Sequence, residues 1–143
     1  MFSRFYFLSD DDLLSILGSS DPEAVQPHML KLFDNCKELI MSKSKQVVGM
    51  ESDEGEKYQL KEIVKPEDSP VEIWMTKVDH EMKKTLHRIT KEATFKYGSQ
   101  ERVTWVIENL GMVAIVGTQI WWTWRVEDVF DKVRNGNKYA MKQ

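Results

Sequence analysis

The sequence has few of the residues that cross-link a chain or interrupt its helices and strands: one cysteine, four prolines and seven glycines in 143 residues. A single cysteine, Cys36, cannot form an internal disulfide, which fits a reducing compartment such as the cytoplasm. Basic residues are not in excess either, since 20 Lys and Arg stand against 23 Asp and Glu, for a net charge of −3. Without an electropositive field to attract phosphate backbones, we expect no nucleic-acid partner.

The sequence also lacks a long apolar run. The N-terminal MFSRFYFL segment carries a single basic residue and is followed at once by SDDD, which is not the pattern of a signal peptide. The charge-free run 109–124 contains Thr118, Gln119 and Thr123. It is shorter than the roughly 20 apolar residues that cross a bilayer, so we expect a buried helix and no membrane partner.

The motifs of nucleotide hydrolysis are missing. A phosphate-binding loop needs glycines and a lysine in the order GxxxxGK[ST], because backbone amides and the lysine ammonium hold the phosphates. The nearest glycines, Gly111 and Gly117, lie in an apolar run and are followed by Thr118 without a lysine. We predict no catalytic residue and no cofactor-binding residue in this sequence.

The sequence gives equally little support for a metal site or a nucleophilic cysteine. Zinc hydrolysis on a helix needs HExxH, and after His80-Glu81 the position of the second histidine holds Lys84. His87 lies two turns from His80, so the prediction is two solvent-facing histidines and no metal. Cys36 shares a spacing with neighbouring apolar residues, which favours a small buried side chain over a nucleophile.

The composition is that of an ordinary globular domain, with 41% hydrophobic and 30% charged residues. We predict a single unit over residues 1–143 of the α+β class, mainly α-helical, in which a helical bundle carries a small antiparallel β-sheet or hairpin. Apolar residues three and four apart, with start signals such as Ser9 before Asp12 and proline at Pro70, predict the helices. The predicted helices cover residues 10–17, 27–39, 70–97, 100–109 and 112–134.

Three strands are predicted. The aromatic-rich segment 4–8 is typical of a short buried strand. Segments 46–51 and 57–63 flank the acidic turn SDEGE and predict a hairpin.

Two groups of side chains are candidates for contact with a partner. Lys77, Lys84, Arg88 and Lys91 fall on one side of the long predicted helix, where either solvent or an acidic protein surface would face them. Trp121, Trp122 and Trp124 point to different sides of one helix, so at least one of them is a candidate contact with material outside the chain.

The N-terminal run FSRFYFLSDDDLLSIL resembles the FPRFYFLSNDELLEIL signature of dynein heavy chain linkers, with Ser3 where the family commonly has proline. The resemblance extends to residues 25–28, 32–35, 52–56, 71–74, 111–113 and 119–123. Residues 17–22, 122–124 and 126–130 are similar to axonemal heavy chains, and most of all to inner-arm types.

This resemblance implies a fragment of the C-terminal half of the linker of an ATP-driven microtubule motor. It further implies an axonemal location in a cilium or flagellum. The rest of the linker and the AAA+ ring of the same heavy chain would be its partners, and intermediate chains, light chains and microtubules would be reached through the parent. ATP and magnesium would be bound elsewhere in the parent. The alternative hypothesis is a docking module for ciliary accessory chains.

Overall fold

The computed structural model describes residues 2–137 and 139–140. Contacts divide the chain into two compact units, Met1–Thr85 and Leu86–Gln143. The architecture is mainly helical with one small antiparallel sheet, which confirms the predicted α+β class. That residues 1–143 form a single folding unit stays a prediction.

The first unit surrounds a three-stranded sheet. Its helices are α1 (Asp10–Leu17), α2 (Met29–Leu32) and residues 71–85 of α3, the helix Val71–Lys96; the strands are β1 (Cys36–Met41), β2 (Val47–Ser52) and β3 (Lys57–Val64). Short 3-10 segments occupy Ser3–Phe7, Pro22–His28 and Pro66–Asp68.

The sheet has the order β1-β2-β3, with both pairs antiparallel. The predicted hairpin is therefore confirmed as β2 and β3. At Gly49 in the central strand, an added Cβ would lie 2.6 Å from the carbonyl oxygen of Tyr58. Only glycine fits there, because the two strands approach closely at a register shift between Val47 and Gly49.

The core of the first unit joins the sheet to the helices. Val47 and Met50 of β2 are fully enclosed, as are Met75 and Val78 of α3. An aliphatic face of the sheet is thus covered by an amphipathic helix, the usual way in which both elements remove apolar surface from water. The other buried members are Phe2, Phe5, Ile16, Val25, Met29, Leu32, Phe33, Cys36, Leu39, Leu60, Val64 and Trp74.

The predicted helix over residues 27–39 is wrong. The segment is helical only to Leu32, Phe33 is extended, and Asn35 has a left-handed φ of 55°. Asparagine tolerates that conformation better than most residues, and it turns the chain into β1. Leu32, Phe33, Cys36 and Leu39 are all buried, so the apolar spacing was identified correctly and assigned to the wrong secondary structure.

The predicted strand over residues 4–8 is also wrong, because Ser3–Phe7 forms a 3-10 helix. Its three-residue turn places Phe2 and Phe5 on one side, with their rings in edge contact at 5.2 Å. Tyr6 and Phe7 point to solvent. The buried aromatic positions of this run are therefore three residues apart, and not two apart as in a strand.

The second unit consists of residues 86–96 of α3 with α4 (Arg102–Glu108) and α5 (Gly111–Arg134). The helices predicted at 70–97, 100–109 and 112–134 are confirmed to within two residues at each end, and so is the one at 10–17. Trp105 is enclosed by Ala93, Val113 and Ala114. Within residues 2–137 and 139–140, no helix has the length and apolarity needed to cross a bilayer.

Candidate functional site

Lys84, one of the cations predicted to meet a partner, is bonded inside the first unit. Its Nζ lies 2.7 Å from Glu62 Oε1 on β3 and 3.1 Å from Glu81 Oε1 on α3. Donating these hydrogen bonds raises the pKa of Lys84, and accepting one from Lys84 lowers the pKa of Glu62. Lys84 thus ties the long helix to the sheet.

The remaining three predicted cations differ in whether they already form an ion pair within the chain. Arg88 Nη1 lies 3.0 Å from Glu92 Oε1, one turn along the same helix. Lys77 and Lys91 are exposed, and neither has an ion pair in the part of the chain that the structure describes. Of the predicted basic face, these two keep free ammonium groups; their contact with a partner stays a prediction.

Trp121 is half-buried and fixed within the second unit. Its Nε1 donates to the carbonyl oxygen of Thr94 at 2.8 Å, and its ring stacks on Tyr97 with the centroids 5.1 Å apart. The Nε1 of the fully buried Trp105 donates to the carbonyl oxygen of Ala93, the residue before Thr94, also at 2.8 Å. The two indoles fasten α4 and α5 to the last turns of α3, so Trp121 serves packing within this unit.

Trp122 and Trp124 are the tryptophans of α5 that face outward. Their residues are 67% and 55% exposed, respectively. Trp124 keeps an edge-on contact with Trp121 at 5.4 Å, whereas Trp122 lies about 160° around the helix from Trp124. An exposed indole presents a large apolar surface, and such side chains are concentrated where proteins meet.

Trp122 belongs to an apolar face that runs along α5, opposite the buried residues Val113, Ala114 and Gly117. Its members recur three and four residues apart, the spacing at which one helix packs lengthwise on another. We call this face the α5 seam: Ile115, Gln119, Trp122, Val126, Val129 and Val133. Val116 and Phe130 flank it and are exposed, as are Ile115 and Trp122, whereas Val126, Val129 and Val133 are partly buried. A largely apolar exposed surface of this kind, interrupted by Gln119, is a candidate interaction site, and its contact with a partner stays a prediction.

The described residues contain no group of three or more metal-ligating side chains. Cys36 is buried at the start of β1, and burial raises the pKa of its thiol to about 11. A thiol held protonated in an apolar setting is a poor nucleophile. Cys36 is thus a small core side chain, as the sequence predicted.

A groove of about 510 Å³ lies between the end of β3 and α3 in the first unit. Ile63 and Lys65 line it from the strand side, and Lys77, His80 and Glu81 line it from the helix. The sequence placed Lys77 among other cations and His80 in solvent, and it did not single out Lys65. Only the packing of β3 on α3 brings these residues together, and no spacing in the sequence signals it.

Residues 1–93 match the family model described as "Dynein heavy chain, N-terminal region 2". Among similar proteins, the dynein-1-alpha heavy chain of the flagellar inner arm I1 complex of Chlamydomonas reinhardtii is 57% identical over 143 residues, 99% of this chain. Human dynein axonemal heavy chain 10 is 50% identical over 146 residues, and human dynein axonemal heavy chain 1 is 41% identical over 131 residues, covering 99% and 91% of this chain.

The chain spans 3% of the length of each of these relatives. The family model covers the first unit and the start of the second, while the alignments with the first two relatives extend across nearly the whole of both. The chain belongs to the dynein heavy chain family, as a segment of the axonemal type found in cilia and flagella.

Proposed function

We propose that this segment is a mechanical part of the heavy chain's linker, which transmits the ATP-driven power stroke of the AAA+ ring during ciliary and flagellar motility. In this proposal the segment carries no catalysis of its own. Family membership and the motif at residues 2–17 support it. The motor activity itself would reside in the much longer parent chain.

The main support for the proposal is the exposed apolar surface of the α5 seam. A helix whose outward side holds exposed residues such as Ile115 and Trp122 leaves apolar surface in water, which is unfavourable by roughly 25 cal/mol per Å². Packing against further helices of the same heavy chain would cover that surface. A segment inserted in this way into a longer helical arm can pass force along the arm.

The cavity beside the start of α3 does not fit a nucleotide. It has a volume of about 760 Å³ and is lined by Asp21, Glu67 and Glu72, and Lys45 is the one cation in its described lining. Lys45 is already bonded to Asp21 at 2.9 Å. This lining would repel a triphosphate, which agrees with the proposal that ATP and magnesium are bound elsewhere in the parent chain.

The proposal is tested in the full-length heavy chain with Trp122→Glu. A charge placed in the α5 seam should disturb helix packing in the arm, so microtubule gliding velocity should fall while microtubule-activated ATPase persists. Thr123→Glu is the comparison variant: it places the same charge at the border of the seam instead of within it, so the loss of velocity should be smaller. Equal velocities for the two variants and the parent protein would count against the proposal.

The alternative is a docking module for a ciliary accessory chain, for which the same exposed indoles would form the interface. It predicts that Trp122→Glu releases a subunit from the purified motor complex and leaves the velocity of the isolated heavy chain unchanged. Subunit composition and velocity, measured on the same variant, therefore separate the two functions.

A further inference from the structure

The members of the α5 seam have the spacing of a surface on which a second helix packs lengthwise. They follow one another at intervals of four, three, four, three and four residues from Ile115 to Val133. The mean repeat is about 3.5 residues, close to one helical turn, which keeps such a strip facing a single neighbouring helix along its whole length. A strand or loop crossing α5 would not need this repeat. The spacing therefore fits a covering helix inclined to α5 by about 20°.

The seam contains one polar residue among its apolar members. Ile115 and Trp122 are 62% and 67% exposed, and the exposed Gln119 lies between them. In paired helices a single polar residue at such a position fixes the register, because its side chain needs a polar group opposite it. The covering helix should therefore present apolar residues to most of the seam and a polar residue to Gln119.

The two borders of the seam differ in charge. The basic border consists of Thr118, Arg125 and Lys132, and the uncharged border consists of Val116, Thr123 and Phe130. Lys132 lies 2.6 Å from Asp128 of the same helix. Arg125 is exposed, lies over the ring of Tyr97 at 5.9 Å and has no ion pair in the described part of the chain. A carboxylate on the covering helix, beside the basic border, would pair with Arg125.

A second copy of α5 does not meet these requirements. In an antiparallel pair of seams the same border of each helix comes together, so Arg125 and Lys132 of one copy would face those of the other. Such like charges repel. In a parallel pair the basic border would face the uncharged border, which offers no carboxylate to Arg125. The covering helix therefore has a different sequence from α5.

The size of the seam favours a helix of the same heavy chain over a separate protein. The seam and its two borders comprise twelve residues, whereas each side of a stable interface between separate proteins has about 20–30. A tethered helix needs less contact area, because its effective concentration is high. The chain spans 3% of the length of its relatives, so a heavy chain has ample sequence outside the segment to supply that helix.

From these observations we infer that one α-helix from another part of the same heavy chain covers the α5 seam. It lies along α5 with an apolar strip on the seam, a polar residue opposite Gln119 and an acidic residue beside Arg125. The inference rests on the proposed function, which places the segment within a longer helical arm. It adds which kind of element covers the seam and in what register.

The test uses full-length heavy chain with a genetically encoded photo-cross-linking residue at position 115, 122 or 129, one position in each preparation. Mass spectrometry then identifies the captured residues. All three positions should capture one segment of the same chain at steps of about seven residues, because they lie seven apart along α5. The products should migrate as a single heavy chain in denaturing electrophoresis. The captured segment should carry an aspartate or glutamate in register with Arg125.

The matched control is the same cross-linking residue at position 131. Asp131 is exposed and lies about 160° around the helix from Ile115, so position 131 should not capture that segment. The inference is overturned by capture of a separate protein or a second copy, by captured residues without the seven-residue steps, by the absence of any capture, or by a segment without a carboxylate in register with Arg125.

The gliding velocity of Trp122→Glu separates this inference from the proposed function. Ordered capture within one chain, together with an unchanged velocity, would support the covering helix and contradict the mechanical role. Reduced velocity together with capture of a separate protein would overturn the covering helix and leave the mechanical role in place.

Discussion

The side-chain amide of Gln26 makes the same two hydrogen bonds to the backbone of Leu39 that a neighbouring strand would make. Its Nε2 donates to the Leu39 carbonyl oxygen at 2.8 Å, and its Oε1 accepts from the Leu39 N–H at 2.9 Å. A side-chain amide has the same donor and acceptor as a peptide group, so it closes the outer edge of β1. With Thr85 bonded to Lys61 on the other side, both edges of the sheet are partly capped by side chains.

Removing this cap should destabilise the first unit. Gln26→Ala leaves the N–H and carbonyl of Leu39 without partners in a partly buried setting, which costs about 1–3 kcal/mol of unfolding free energy. Chemical denaturation of the 143-residue chain measures this loss. Gln59→Ala is the control, because it shortens an exposed glutamine on β3 and should cost less than about 0.5 kcal/mol. Equal losses for the two variants would show that the Gln26 bonds contribute nothing specific.

Gly117 is required by the ring of Trp105. An added Cβ at position 117 would lie 3.0 Å from both Cη2 and Cζ2 of that ring, which is fully buried and has little room to move. Overpacking costs about 1–3 kcal/mol, and alanine regains about 1 kcal/mol of helix propensity. Gly117→Ala should therefore lower the unfolding free energy by up to about 2 kcal/mol. Thr123→Ala on the exposed side of α5 should instead raise it slightly, and a gain for both substitutions would contradict the packing described.

The carboxyl of Asp12 should contribute to stability in a defined pH range. Hydrogen bonds from Lys31 and then from Ser9 lower its pKa from 3.8 to about 2. Because the folded pKa lies below the unfolded one, the stabilisation is present above pH 3.8 and is lost as the pH falls towards about 2.

Asp12→Asn should flatten the fall in unfolding free energy across that pH window. Asp11→Asn, in the same helical turn but exposed, is the control and should leave the slope as it is. Unfolding free energies from denaturation series at successive pH values test this prediction. Identical pH slopes for Asp12→Asn and the parent chain would refute it.

Cys36 should react slowly with thiol reagents in the folded chain. With a pKa raised to about 11, only about one thiol in a thousand is ionised at pH 8, and the side chain is also buried. Modification followed by absorbance should be slow in buffer and fast in denaturant. Rapid labelling of the native chain would show that the thiol is accessible.

The helices with clear signals at both ends were predictable from sequence. α3 keeps one apolar stripe over its whole length, and Ser9 caps α1 by accepting the N–H of Asp12 at 3.3 Å, as its spacing indicated. Such local bonds depend on residues close in sequence. For the same reason the turn between β2 and β3, with Gly55 at a φ of 83°, was predictable.

The two errors arose where one apolar spacing fits two structures. Leu32, Phe33 and Cys36 are spaced as on a helix, yet the left-handed turn at Asn35 places Cys36 in a strand. No local feature of residues 27–39 outweighs the helical spacing. The choice is made by the pairing of β1 with β2, a tertiary contact.

The candidate docking surfaces were predictable only in part. The sequence identified Trp122 and Trp124 as candidates, and both are exposed. It could not indicate that Lys84 is held by Glu62, 22 residues away, or that Trp121 is bonded to Thr94. Which member of a charged or aromatic group remains free depends on contacts between distant segments.

The proposed mechanical role requires this segment to move as part of a force-transmitting arm. Its most direct test is energy transfer within the full-length heavy chain, between a dye on a genetically encoded residue at position 43 and a dye on the AAA+ ring. Position 43 lies in the exposed turn between β1 and β2, so labelling should not disturb the core. We predict that the transfer efficiency changes between the nucleotide-free and ATP-bound states and that Trp122→Glu reduces this change. An efficiency that stays the same in every nucleotide state would contradict the account.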